Sequence, residues 1–201
     1  MWVTDAEKRA QLGDYSCNAP QYTTADACFV VCVDYKRLQA CCAMNKVEMQ
    51  HDNADNLLIG VSDASIFAQN LAVAAEAMGL GICYIGGVRT NIAEIDALLG
   101  LPDLVFPLFG MTVGRPAEGA VNEIKPRLPV AAVLHENTYD AAKYDEILPA
   151  YDAKLAAYYA ARATNAKGFS AAYTGAQAQL LIALKRMHIS KYIASKGFTF
   201  Q

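Results

Sequence analysis

Two groups of residues in this 201-residue chain could do chemistry together. Gly79-Leu80-Gly81 and Gly86-Gly87 bracket the short apolar run Ile82-Cys83-Tyr84-Ile85, and paired glycines let the backbone approach a flat ligand closely. Further on, Lys125-Pro126-Arg127 sets two cations at i and i+2 around a proline of fixed φ. In an extended piece of chain both side chains project to one side and can close on a single phosphate. The combination points to a phosphorylated planar ligand. On the residues alone, three plainer readings stay open: a helix C-cap for Gly79, an ordinary turn for Gly86-Gly87, and a solvated loop for the cations.

Other chemistries are poorly served. A dinucleotide fingerprint follows a strand and opens a helix, whereas these glycines follow an apolar helical stretch with different spacing. Cys28-x3-Cys32 and Cys41-Cys42 lack zinc-ligand spacing, and His51, His135 and His188 are isolated. His135-Glu136-Asn137 lacks a second histidine, and no G-x-S-x-G elbow exists. We therefore expect no metal site and no hydrolytic constellation.

The elements that must position these groups can be read from punctuation and periodicity. Thr4 with Glu7 has capping-box spacing for a first helix that Gly13 would stop. Ala27–Val33, almost wholly apolar, reads as a central strand covered on both faces. Tyr35 to Asp52 reads as a helix and a connection. From Asn56 to Met78 the apolar and small residues run nearly unbroken, so this helix must lie inside the molecule or against a partner subunit. Asn91 and Glu94 open a helix closed by Gly100, and Leu104–Val113 reads as a second buried strand in which Pro107 requires an edge, a bulge or a strand start. Gly114–Pro129 is a polar connection, Tyr144–Ala163 a helix, Asn165–Ser170 a loop and Tyr173–Ser195 a last amphipathic helix. This order indicates a mixed α/β or α+β domain, with no repeat or linker to divide residues 1–201.

Composition bounds the partners. At 54% hydrophobic and 18% charged, the chain can bury one core without disulfides. A net charge of −3 and no basic run exclude a field for nucleic acid, leaving a small-molecule partner. The opening Met1-Trp2-Val3-Thr4-Asp5 has no basic or apolar leader pattern, so the expected location is the cytoplasm and the six cysteines are expected to be reduced. The apolar stretch Leu57–Ile85 is interrupted by Asp63, Gln69, Asn70 and Glu76, which suits a core helix and no membrane span.

The motifs Gly79 to Arg89, Leu101-Pro102, Pro107-Leu108-Phe109-Gly110, Gly114-Arg115-Pro116, Lys125-Pro126-Arg127-Leu128-Pro129 and His135-Glu136-Asn137-Thr138-Tyr139 occur in this order. Together they strongly resemble the NADPH-dependent, oxygen-insensitive nitroreductase and flavin reductase family, in its NADPH-FMN oxidoreductase branch, from about Val3 to the C-terminus. The resemblance implies an α+β nitroreductase-like fold: a central, mainly antiparallel sheet flanked by helices, and a long buried helix at a homodimer interface where FMN binds. It implies that NADPH, or NADH, reduces the flavin, which then reduces nitroaromatics, quinones or free flavin in a ping-pong cycle. By position, Tyr84, Ile85, Gly86 and Gly87 would line the flavin, with a backbone N–H near its N5 edge, and Lys125 and Arg127 would hold the phosphate.

The chain also departs from the family pattern. A helix-borne His-Arg-Ser-x-Arg segment and a serine-rich stretch, both cofactor contacts in the family, have no counterpart, so the chain reads as N-terminally truncated relative to the family. Asn18-Ala19-Pro20 stands where Asn-Gln-Pro is usual, and alanine offers the ring no hydrogen bond. Of the basic loop that suits the NADPH 2′-phosphate, Arg162 and Lys167 remain. The alternative reading is a non-catalytic, nitroreductase-like dimeric binding or scaffold protein that has lost the complete flavin site.

Overall fold

The computed structural model of the protein describes residues 1–119, 124–160, 173–183 and 186–199. Its chain forms two compact units, Met1–Ala120 with Arg186–Gln201, and Val121–Lys185.

The first unit is built on an antiparallel sheet of three strands in the order β1-β3-β2: β1 (Ala27–Asp34), β2 (Gly81–Ile85) and β3 (Val105–Gly114). The strand expected at the centre, β1, is therefore an outer one, and β3 takes the central place. The other side of β1 is partly satisfied by the N-terminal segment, where Val3 N–H donates to Cys28 O and Val30 N–H to Met1 O, both at 2.9 Å. That pairing accounts for the apolar character that suggested a covered strand.

Pro107 sits inside the central strand at a bulge. Val31 pairs with Phe109 but Cys32 with Pro107, so Leu108 is an extra residue on β3. The bulge switches the side-chain alternation: Phe106 and Leu108 before it, and Phe109, Met111 and Val113 after it, all belong to the clusters packed against the long helix.

Helices cover both faces. On one side lie α1 (Ala6–Tyr15), α2 (Gln21–Thr24) and α5 (Ile92–Leu99), closing a core of Leu12, Tyr22, Cys28, Val30, Val88 and Ile95. The N-cap of α1 is Asp5, one residue beyond the expected Thr4, and its carboxylate accepts from Lys8 N–H. Gly13 does not stop this helix; it is buried within it, where a side-chain carbon would lie 3.1 Å from Ala19 O. Asn91 precedes α5 as expected, but its side chain donates to Tyr15 O instead of capping, and Gly100 ends the helix at φ 64°.

The other face carries α4 (Ala54–Ala77), preceded by α3 (Lys36–Met44). Ala64, Ala68, Ala72 and Ala75 form its buried stripe on the sheet, small enough for a close approach. The rest of its apolar surface faces outward: Leu58 is 63% exposed, Ile66 69%, Phe67 66% and Val73 53%. By length and composition α4 could cross a bilayer, but its alanine stripe is occupied by β1 and β3 and it carries Asp55, Asp63 and Glu76. The sheet side of α4 also meets Phe198 from the chain end, whose ring packs on Tyr35 and Phe106.

The single last helix expected over Tyr173–Ser195 is described as two, α8 (Tyr173–Ala183) in the second unit and α9 (His188–Ser195) in the first. Lys196, just after α9, is buried and salt-bridged to Asp96 at 2.9 Å, and Tyr192 donates to the same carboxylate at 2.7 Å. The second unit also contains α6 (Val130–Val133) and α7 (Tyr144–Ala160). Tyr151, Leu155 and Tyr158 make the buried face of α7, and Asp152 accepts from the Thr174 hydroxyl at 2.6 Å, tying α7 to α8. The expected loop Asn165–Ser170, and Ala161–Ala163 at the end of the expected seventh helix, lie outside the described residues.

Candidate functional site

The glycine-flanked motif forms the corner where β2 runs into a 3-10 turn, Gly86–Arg89. Tyr84, Ile85, Gly86 and Gly87 are thus contiguous, but they do different things. Ile85 is buried in the core with Tyr22 and Val88. Gly87 is demanded by packing: a side-chain carbon there would lie 2.4 Å from Ser16 O. Gly86 is open, since a side-chain carbon would meet only the Arg89 guanidinium at 3.5 Å.

Tyr84 and Gly86 line a cavity of about 470 Å³ together with Ser65 and Gln69 of α4, Arg89 and Phe109. The Tyr84 hydroxyl donates to Gln69 Oε1 at 3.2 Å, and its ring meets Phe109 edge to face at 5.5 Å. Arg89 donates Nη1 to Leu108 O at 2.6 Å, capturing the carbonyl of the bulge residue. Two aromatic rings, one amide, one hydroxyl and one guanidinium around an open glycine suit a planar heteroaromatic ligand, which presents apolar faces and a few polar edges. A larger groove of about 590 Å³ between β1 and α4 is lined chiefly by apolar residues such as Phe29, Val31, Ile59, Phe67 and Leu71, and it lacks the glycine corner.

Ser65, Gln69, Arg89 and Phe109 were not singled out from sequence as site residues. The polar pair Ser65 and Gln69, spaced i and i+4 in an otherwise apolar helix, was the available signal.

Below this corner sits a buried polar pair. Tyr22 and Ser16 are both shielded from solvent, and neither hydroxyl makes a hydrogen bond of acceptable geometry among the described residues. Burial pushes the Tyr22 phenol up, with the neighbouring serine offsetting part of the rise. Gly110 makes room for it, since a side-chain carbon there would lie 1.7 Å from the Tyr22 hydroxyl oxygen. Ala19, in the position where a polar side chain was expected to be missed, packs against this same core.

Lys125 and Arg127 belong to the second unit, and both are exposed on either side of Pro126. The Pro126 carbonyl accepts from the Tyr151 hydroxyl at 2.8 Å, and Lys125 Nζ lies 5.5 Å from the centre of the Tyr159 ring. Neither cation has a carboxylate partner among the described residues. Arg162 and Lys167 lie outside those residues.

No group of three His, Cys, Asp or Glu side chains is placed to hold a metal among the described residues. All six cysteines are free thiols. Burial raises Cys28, Cys32 and Cys83 above the ordinary thiol range, Cys32 to about 11, so these three are protonated at neutral pH and poor nucleophiles.

Residues 2–115 match the profile of the nitroreductase family, and residues 125–201 that of the nitroreductase family C-terminal domain. A Cr(VI) reductase of Pseudomonas sp. (strain G-1) is 52% identical over 201 residues, covering 100% of this chain and 81% of the relative. An NADPH-flavin oxidoreductase of Vibrio harveyi is 42% identical over 197 residues, covering 97% and 78%. Among solved structures, the NADPH:FMN oxidoreductase of Vibrio harveyi complexed with NAD+ superposes with a TM-score of 0.85 at 38% identity, over 100% of this chain and 80% of that one.

Proposed function

This chain belongs to the nitroreductase family, and on that premise we propose that it is an FMN-dependent NAD(P)H oxidoreductase acting on nitroaromatic, quinone or flavin acceptors. The observation that carries the reading is the glycine corner at the end of β2, with one glycine open onto an aromatic-lined cavity. The residues there fit a flavin: rings of Tyr84 and Phe109 for its faces, Gln69, Ser65 and Arg89 for its polar edges. Lys125 and Arg127, without a carboxylate partner among the described residues, suit its phosphate.

When bound, FMN supplies the redox chemistry, accepting a hydride from NAD(P)H and delivering electrons to the acceptor. The protein's part is to bind and polarise. Of the four motif residues, Tyr84 and Gly86 would form the wall against the ring while Ile85 and Gly87 hold the corner from the core side, and the corner would offer a backbone N–H where charge develops on reduction. Gln69, accepting from the Tyr84 hydroxyl, holds that ring in place. Lys125 and Arg127 would neutralise the phosphate.

Residues 1–201 are read as one nitroreductase-like domain, in keeping with family profiles that match residues 2–115 and 125–201. The outward apolar face of α4, with Phe67 and Ile66 about two-thirds exposed, supports a homodimer in which a second copy covers it. The cytoplasm, where NAD(P)H is abundant, is the expected compartment. The Pseudomonas relative's name adds chromate to the acceptors worth assaying.

Steady-state NADPH oxidation by the FMN-loaded protein with menadione or nitrofurazone tests the reading. Parallel double-reciprocal lines are expected for a ping-pong cycle. No acceptor-dependent oxidation with NADPH or NADH would overturn it.

A further inference from the structure

Three consecutive residues at the end of α1 grip the glycine corner and the segment that follows it. The Tyr15 carbonyl accepts from Asn91 Nδ2 at 2.8 Å, the Ser16 carbonyl closes on Gly87 so tightly that only glycine fits, and Cys17 Sγ lies 3.2 Å from Thr90 Oγ1. Thr90 in turn donates its N–H to Gly87 O at 2.8 Å, closing the 3-10 turn. None of Tyr15, Ser16, Cys17 or Asn91 lines the cavity, so any effect they have on it runs through Gly86 and Gly87.

This docking is locally costly. Asn91 stands at the N-cap position of α5 yet caps nothing, because its carboxamide is diverted to a carbonyl 76 positions away in sequence. Cys17 and Asn18 follow at φ 63° and 54°, two successive non-glycine residues in the left-handed region. Ser16 is 2% exposed, and its hydroxyl, like that of Tyr22, is buried without an acceptable hydrogen bond among the described residues. A forgone cap, two strained residues and two orphaned hydroxyls all weaken the fold, and such features persist where a fixed geometry serves a site. The first N–H groups of a 3-10 turn have no partner within the turn, so what the corner offers a ligand depends on how Gly86 and Gly87 are aimed.

We propose that Asn91 is a positioning residue for the flavin reaction. By holding Tyr15 O it keeps Ser16 against Gly87, and so fixes the aim of the corner N–H groups at the cofactor. Donors fixed in advance favour the reduced ring, on which negative charge develops, over the oxidised one. This rests on the reductase reading above, and it adds the residue that sets the corner's geometry.

The test replaces Asn91 by serine, which is neutral, still able to cap α5 and too short to reach Tyr15 O. In FMN-loaded Asn91→Ser the preference for reduced over oxidised FMN is expected to fall about tenfold, read as a midpoint potential lower by about 30 mV for a two-electron couple. Asn91→Gln, which keeps a carboxamide donor, falls between. In the apoprotein, amide hydrogen exchange at Gly86, Gly87 and Val88 is expected to quicken about tenfold in Asn91→Ser, with β1 unchanged. A measurement on the unaltered apoprotein guards against misfolding of the variants: the Asn91 carboxamide protons should exchange more slowly than those of exposed asparagines. Equal exchange there, or corner amides unchanged in Asn91→Ser, would overturn the proposal. So would both redox states of FMN losing affinity by the same factor, which would leave Asn91 a packing residue. If the protein leaves FMN free in solution, the reductase reading fails together with the cofactor's part in this proposal, and the corner amides still decide whether Asn91 holds the turn.

Discussion

Adjacent glycines at the corner should separate stability from cofactor binding. At Gly87 an added methyl carbon would lie 2.4 Å from the Ser16 carbonyl oxygen, with Ser16 Cα at 3.2 Å. Carbon and carbonyl oxygen rarely approach closer than about 3.3 Å, so the overlap is roughly 0.9 Å, and because the obstacle is backbone it cannot swing away. Overpacking of this kind costs about 3 kcal/mol, the upper end of the usual range. At Gly86 the same carbon would meet only Arg89 Nη2, at an ordinary contact distance of 3.5 Å, and Gly86 is not among the glycines with positive φ. Gly86→Ala should therefore leave the apoprotein unchanged or stabilise it by up to about 1 kcal/mol through the unfolded chain. Its methyl group, on a residue that lines the cavity, should raise the dissociation constant for FMN at least about tenfold, or about 1.4 kcal/mol. Urea unfolding of the apoproteins and quenching of flavin fluorescence on titration read the two quantities separately. Equal loss of stability in both variants, or undiminished FMN affinity in Gly86→Ala, would refute the assignment of Gly86 to the ligand and Gly87 to packing.

Other outcomes follow from the same packing and electrostatics. Gly110→Ala drives a methyl group into the Tyr22 hydroxyl, so Tyr22→Phe should recover at least about 1 kcal/mol in that background while costing less than about 1 kcal/mol alone; denaturation of the four proteins measures the coupling. The Cys32 thiol is raised from 9.0 to about 11 in the fold, so the unfolded chain gives up its proton first and stability falls as pH rises from 9 to 11, by about 2–3 kcal/mol; Cys32→Ala should show a correspondingly smaller loss over that window. Asp96→Asn leaves the buried Lys196 ammonium without its counter-charge and should cost about 3 kcal/mol in urea unfolding. If a second copy covers α4 as proposed, unaltered protein should run at twice the chain mass by light scattering on a sizing column and Phe67→Glu, on the exposed face of α4, at the mass of one chain; equal masses would remove α4 from an interface.

The parts of the fold legible in sequence were those with strong punctuation. Gly100 ended a helix where expected, and the long apolar stretch ending near Gly79 was a helix. What escaped depended on partners distant along the chain. Pro107 sits at a bulge, one of the three placements open to it in sequence, and the choice among them depended on Cys32 opposite; Gly13 lies inside a helix, where the approach of Ala19 leaves little room for a side chain. The break before α9 left no mark in the apolar spacing from Tyr173 to Ser195. At the site, the β2 corner could be located by motif, but its two glycines looked equivalent, and only the position of Ser16 tells them apart.

The central claim is that this chain binds FMN and passes electrons through it. Titrating the purified protein with FMN, then adding NADPH without oxygen, tests this most directly. Saturable binding near one FMN per chain, with the flavin absorbance bleached by NADPH and restored by menadione, is the predicted result. A protein that leaves FMN free in solution, or binds it without bleaching on addition of NADPH or NADH, would contradict the claim and leave the scaffold reading in its place.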